Sequence, residues 1–262
     1  MKILRSDLAH GHELEGAVVV IDVLRAFTTA AYAFAAGARS MIAADSLDSV
    51  AGLRSRYPAS MTMGALPGGR PVPGMDFGNS PAEIVGRDLS GITLIQFTAG
   101  GVKGLVDCDH ATEVLAGSLV CARSTARYIR TLAPSTVTLV ITGLWTDRDG
   151  DEDHACADLI EAYLRGQSPE VTAYEERVRQ SDFGRRFGDS AHPHLPAADL
   201  DLCAAADRFG FAMPMRRTAH GLVIEPVALA FLPSARRTVD LTARSRRGIV
   251  TGRWRCENCF LS

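Results

Sequence analysis

The sequence predicts an α/β fold, a mainly parallel sheet with helices on both faces. Three observations carry this. Short apolar, often β-branched runs alternate with longer stretches of helical periodicity. The run Ala17 to Ile21 is apolar without a break, as expected of a strand buried on both faces. Several apolar runs then end in Gly or a small polar residue ahead of the next helical stretch: Asp22, Gly64, Thr98-Ala-Gly-Gly101, Gly117-Ser118 and Gly143. In a parallel sheet such ends share one edge, where open α/β sheets place ligands. Strand-to-helix turns also need such residues for their own geometry.

After the first apolar run, Leu24, Phe27, Ala31, Phe34 and Ala35 recur at helical spacing, and Gly37 is placed to end that helix. Asp22 falls at the carboxyl end of the strand, with Arg25, Thr28 and Thr29 in the first helical turns. A carboxylate, a guanidinium and two hydroxyls beside free helix amides suit a phosphate-and-metal site. Equally, Asp22 can cap the helix and pair with Arg25, the threonines being merely tolerated. The residues alone leave both readings open.

Ser40 to Ala44 reads as a strand, and Asp45-Ser46 as the cap of a helix running to about Tyr57 before Pro58. A strand from Ser60 to Met63 enters GALPGGRPVPGMDFGNSP, too rich in Gly and Pro for regular structure. A loop of that length in a compact domain is functional or disordered, and this one, with Arg70, Asp76, Asn79 and Ser80, reads as a binding loop. Further strands are expected at Ile92 to Phe97, Glu113 to Ala116 and Val137 to Ile141, with a short helix after Gly101 and a helix from Leu119 to Leu132. A long helix follows the acidic turn at 147–153. Beyond it, 168–180 reads as helix, 184–196 as loop and 197–208 as helix followed by a short strand. From Thr218 on no element is assigned.

The chain has 262 residues, 47% apolar and 22% charged, ordinary for a globular protein. A net charge of -2 gives no reason to expect nucleic acid as partner, and no apolar run approaches a membrane span. MKILRSDLAHGHELEG turns polar after Leu4, unlike a signal peptide, so the six cysteines are expected to be reduced thiols in the cytoplasm. Cys256-x-x-Cys259 is only half a zinc site. A homodimer is the default expectation, two-fold assemblies being the commonest.

Acidic residues crowd 147–153. Glu152 is four residues before Cys156 and seven before Leu159, so it lies on the inward face of its helix. A carboxylate turned inward needs a cation or donor. Mg²⁺ takes one or two carboxylates together with water and substrate phosphate, which makes Asp22 and Glu152 the favoured ligands and Asp153 the next. Cys156 reads as core packing, and His192, His194 and His220 as loop or surface residues. Walker-type, GxGxxG and G-x-S-x-G signatures are missing.

These residues also carry a resemblance. VVVIDVLRAFTTA resembles the first motif, IDVLRATTT, of the 2-phosphosulfolactate phosphatase family, and PGMDFGNSPAEI resembles its GFDxGNSPxE. GALPGG stands in the place of GERxGG and LIQFTAGGVKGL in that of TTTNGTxAL. EVLAGSLVCARSTA, DEDHACADLI and DLDLCAAADRFGFAMPMR are similar to the later motifs, so the resemblance runs from about residue 16 to 228. It implies the α/β fold of that family and a Mg²⁺-dependent acid phosphatase acting on a small 2-phosphorylated sulfonated acid, in a coenzyme M type pathway. Residues 1–228 would form the phosphatase-like region, as one α/β domain or as a main domain with a smaller lobe from about 168, and 229–262 an extension of unknown role.

Asp22, Arg25, Thr28, Thr29, Gly78, Asn79, Ser80, Glu152, Asp153 and Cys156 match motif positions. Asp22, Arg25 and Glu152 are the expected catalytic residues. Arg70, Thr98, Gly100 and Ser118 join Thr28, Thr29, Gly78, Asn79 and Ser80 as expected phosphate and substrate contacts. The departures are Ala65 and Leu66 for Glu and Arg, Ala99 for Asn, Gly101 for Thr, and Phe27 for a small residue. Two readings follow. One is a phosphatase with an altered substrate, acting by metal-assisted hydrolysis or through an aspartyl-phosphate at Asp22. The other is an inactive binder of an anionic metabolite.

Overall fold

The computed structural model describes residues 1–229 apart from Thr146 and His220. In chain order the strands and helices are β1 (Lys2–Asp7), β2 (Ala17–Ile21), α1 (Ala26–Ala35), β3 (Ser40–Ala43), α2 (Leu47–Arg56), β4 (Met61–Leu66), β5 (Arg70–Pro71), α3 (Pro81–Ile84), β6 (Thr93–Thr98), α4 (Gly101–Asp107), β7 (Glu113–Gly117), α5 (Ala122–Leu132), β8 (Thr136–Ile141), β9 (Leu144–Trp145), β10 (Arg148–Asp149), α6 (Asp151–Leu164), α7 (Thr172–Gln180), α8 (Ala197–Cys203), β11 (Phe211–Thr218), β12 (Gly221–Ile224) and β13 (Val227–Ala228). No described helix is long and apolar enough to cross a membrane.

The sheet runs β1-β8-β2-β7-β11-β12-β3-β6-β4-β5. It holds two parallel blocks, β1-β8-β2-β7 and β3-β6-β4, joined by the antiparallel β11 and β12. Alternation along β2 divides its side chains between two layers. Val19 and Ile21 face a core closed by α5 and α6, with Ile129, Leu159 and Ile160. Val18 and Val20 face a second core with Phe27, Ala30 and Phe34 of α1, and Leu105 of α4. Every residue from Ala26 to Phe34 is buried, because α1 packs on all sides and its composition is apolar all round.

Most expected elements are present, and three differ. Lys2–Asp7 forms an edge strand on β8, polar enough along its open side to hide the pattern. Residues after 168 build no lobe of their own: β11 and β12 enter the middle of the sheet, and Met1–Ala230 is one compact unit. Gly64 lies inside β4, where a Cβ would stand 2.1 Å from the Phe97 carbonyl oxygen, so it serves strand packing rather than a ligand turn. The extension from residue 230 on, with Cys256 and Cys259, and His220 lie outside the described residues.

The arrangement of the strands explains why their ends can cooperate. β2 and β6 are separated in the sheet by β7, β11, β12 and β3. Yet Gly101 N, just past β6, donates to Asp22 Oδ2, just past β2, at 2.9 Å. The turn after β6, entering α4, thus reaches across to the end of β2.

Candidate active site

Those ends line a cleft of about 250 Å³. Its walls come from the turn after β2, the loop 65–69 with Asn79, the turn after β6, the β8-to-α6 turn from Thr142 to Asp153, and Phe183 with Arg186.

Three carboxylates stand at its floor. Asp22 accepts Ala26 N on Oδ1 and Gly101 N on Oδ2, both at 2.9 Å, so it caps α1 and also ties in α4. Asp153 accepts Val23 N at 2.8 Å on Oδ1, and Gly143 N at 2.7 Å and Thr142 N at 3.1 Å on Oδ2, while the Thr142 hydroxyl donates to Ile21 O at 2.8 Å. Glu152 is only 1% exposed, and its Oε2 has no donor. Gly143 is what admits these acids to the β8 turn, because a Cβ there would lie 2.7 Å from Glu152 Oε1.

Burial raises all three acids, and the charge of Asp22 adds to the rise in Glu152 and Asp153. Glu152 is pushed up to about 7 by loss of solvent, with its own amide and Arg148 acting against the shift. Loss of solvent also raises Asp22, against its two amide donors and the charges of Arg148 and Arg25. Asp153 is raised most firmly, by burial and then by Glu152 and Asp22.

Among the described residues no three acidic, His or Cys side chains form a ready metal cage. What the cleft offers is Asp22, with a lone pair left on each oxygen, and the orphaned Oε2 of Glu152. An anionic oxygen buried without a donor is the kind of group a cation satisfies, and two carboxylates suffice for Mg²⁺ that also binds water and phosphate. These two residues fit such an ion. Asp153, also expected as a ligand, lines the cleft with them, while its Oδ2 accepts the Thr142 and Gly143 amides and its Oδ1 the Val23 amide, so it fastens the ends of β2 and β8 together.

Arg25 lines the cleft but does not pair with Asp22. Its Nη1 meets the buried Asp199, its Nη2 donates to the Gly69 carbonyl at 3.2 Å, and Phe187 lies under its guanidinium at 5.4 Å. Asn79, Thr98 and Gly100 also line the cleft, Asn79 Oδ1 lacking a donor and Thr98 Oγ1 accepting Val102 N. The other expected contacts are spent elsewhere. Thr28 donates to the Val23 carbonyl at 2.7 Å and meets Ser118 Oγ at 2.6 Å, while Thr29 bonds back to Arg25 O. Ser80 donates to Asp199, and Gly78 N to Glu83 Oε2. Arg70 is exposed and donates to Pro67 O. His194 rests on Gly68 O, and Cys156 is core.

Sequence reasoning missed Arg148, Arg186, Asp199 and the aromatic side chains Trp145 and Phe183. The signals available were a lone cation inside the acidic run TDRDGDED and the arginines between the phenylalanines of FGRRF.

The family profile described as 2-phosphosulpholactate phosphatase matches residues 3–213. The chain belongs to this family. Its curated relatives include the probable 2-phosphosulfolactate phosphatase of Bacillus subtilis (strain 168), 30% identical over 224 residues that cover 84% of this chain and 96% of the relative. Those of Carboxydothermus hydrogenoformans (38% identical; 72% and 81% covered) and Thermosynechococcus vestitus (32%; 72% and 84%) are also similar. The family name is that of a phosphoric monoester hydrolase.

Phe27 and Gly101, two of the departures expected from the motif resemblance, touch each other in the structure. A Cβ at Gly101 would lie 2.9 Å from Phe27 Cζ and 2.9 Å from Asp22 Oδ2. The phenyl ring occupies the space a threonine at 101 would need. Ala65, Leu66 and Ala99, by contrast, face the cleft itself.

Proposed function

We propose that the chain is a Mg²⁺-dependent phosphatase of small phosphorylated acids whose substrate differs from 2-phosphosulfolactate at the end away from phosphorus. The observation that carries the metal dependence is Glu152 Oε2, buried without a donor in the cleft that holds Asp22. Mg²⁺ held by Asp22 and Glu152 would supply positive charge to the phosphoryl oxygens. Arg148 and Arg186 donate to the remaining non-bridging oxygens. Arg25 fixes the loop carbonyl of Gly69, its own charge being countered by Asp199. Both oxygens of Asp22 are engaged by backbone amides, which favours attack by water over an aspartyl-phosphate.

The change of substrate rests on Ala65, Leu66 and Ala99, which put apolar surface on the cleft wall where the family motifs carry Glu, Arg and Asn. An apolar wall rewards an alcohol moiety with less charge than a sulfonated one. The test compares kcat/KM for 2-phosphosulfolactate with two- to four-carbon phosphomonoesters lacking the sulfonate. A preference for an ester without it is expected, and a preference for 2-phosphosulfolactate contradicts the altered wall. Phosphate binding with no turnover of any ester would favour the binder.

A further inference from the structure

The cleft's arginines are held in different ways. Arg25 is neutralised by buried Asp199, and Arg186 pairs with Asp147 at 3.0 Å, a partner 63% exposed. The Arg148 side chain, on a strand whose backbone pairs with β9, makes no ion pair or hydrogen bond with a described residue. Aromatic rings hold it instead: its guanidinium carbon lies 4.5 Å from the Phe183 centroid and 5.5 Å from that of Trp145. Arg186 lies over the same Phe183 ring at 5.5 Å.

An aromatic seat differs from a carboxylate in one consequential way. It fixes the plane of a guanidinium while contributing no negative charge, so the cation's N–H edge and its charge stay available to an anion. Phe183 is itself well anchored. It is 3% exposed and edge-on to Phe187 at 5.7 Å. The turn after it is fixed by Gly184, where a Cβ would stand 2.2 Å from Val178 O and whose N–H donates to Ser181 Oγ at 3.0 Å. Phe183, Arg148 and Arg186 all line the cleft beside Asp22 and Glu152, and both acids feel the charge of Arg148.

We propose that Phe183 is the positioning residue for an oxyanion subsite formed by Arg148 and Arg186, which takes the phosphoryl group of the substrate. This rests on the phosphatase reading for the identity of the anion. Trp145, at the mouth and 40% exposed, is the second wall of the Arg148 seat.

The test titrates inorganic phosphate, in Mg²⁺ buffer, into wild type, Phe183→Leu, Phe183→Tyr and Trp145→Leu. The same changes are repeated in an Arg148→Gln/Arg186→Gln background, and ester hydrolysis is assayed in parallel. Phe183→Leu should bind phosphate roughly tenfold more weakly, at the scale of a desolvated cation–π contact, and Phe183→Tyr should stay within about twofold of wild type. In the background lacking both arginines, Phe183→Leu should change nothing further, a coupling that a merely structural role would not produce. Trp145→Leu, exposed enough to spare the fold, should weaken phosphate about threefold only when Arg148 is present. Equal losses with and without the arginines, an unchanged Trp145→Leu, or a wild type that binds no phosphate each overturn the subsite. Phosphate bound with this coupling but no ester hydrolysed would sink the phosphatase reading and leave the seat standing.

Discussion

Arg25 and Asp199, 174 residues apart in sequence, form an ion pair whose side chains are 2% and 0% exposed. Asp199 gathers more than Arg25: its Oδ1 accepts Ser80 Oγ at 2.8 Å and Ala82 N at 2.9 Å. One carboxylate on α8 thus ties the start of α1 to the start of α3 beneath the cleft wall.

Removing it strands a buried guanidinium. Asp199→Ala is expected to lose about 3–5 kcal/mol of unfolding free energy, read from urea denaturation. A loss below about 1 kcal/mol, the scale of an exposed pair, would mean that Arg25 finds solvent or another partner.

Asp153 and Glu152 are neighbours with opposite duties, which separate on substitution. Asp153→Ala orphans the amides of Val23, Thr142 and Gly143, at a cost of about 3 kcal/mol or more. Glu152→Gln removes a buried charge whose Oε2 has no donor, so metal-free protein should become more stable while hydrolysis is lost. Thermal melts in chelator distinguish the two, and a Glu152→Gln variant melting below wild type at pH 8 would count against the orphaned carboxylate.

The pH dependence follows with its sign. Glu152 sits at about 7 in the folded chain against an ordinary value of 4.5, so the folded state holds a proton that the unfolded state releases first. The stability this contributes is complete below about 4.5 and lost as the pH rises through about 7. Asp22 and Asp153, also raised, act in the same direction. In chelator the difference in unfolding free energy between wild type and Glu152→Gln should shift by on the order of 3 kcal/mol between pH 4 and pH 8, and saturating Mg²⁺ should erase it. A difference independent of pH in chelator would refute the raised carboxyl.

Phe27 and Gly101 should behave as a coupled pair. Gly101→Thr alone overpacks the turn against Phe27 and Asp22, and about 1–3 kcal/mol is the usual cost. Phe27→Thr alone leaves a cavity in a fully buried position. The double variant should lose at least about 1 kcal/mol less than the sum of the two, measured in a urea double-mutant cycle. Strict additivity would show that the two departures are unrelated.

Much of this was legible in the sequence, for physical reasons. A continuous apolar run placed Asp22 at a strand end, and helical spacing from Cys156 and Leu159 turned Glu152 inward. The hydroxyls were not legible. Nothing in a helix start tells whether Thr28 or Thr29 faces a ligand or bonds back to the backbone, and here both bond back. A short strand was legible after the helix at 197–208, but not the central place of β11 in the sheet: Pro214 removes one donor there, yet pairs with Leu115 while its carbonyl accepts Glu225 N. Arg148 was hidden among acids, and its importance lies in rings from a distant segment that no local pattern connects to it.

The most direct test of the account is phosphate release from a responsive phosphomonoester, with Mg²⁺ and with chelator, by wild type, Asp22→Asn and Glu152→Gln. The account predicts release by wild type only with the metal, and a fall of at least roughly a hundredfold in kcat in each variant while both remain folded. Release that persists in chelator, or that survives both substitutions, would place the chemistry outside the Asp22–Glu152 pair and contradict it.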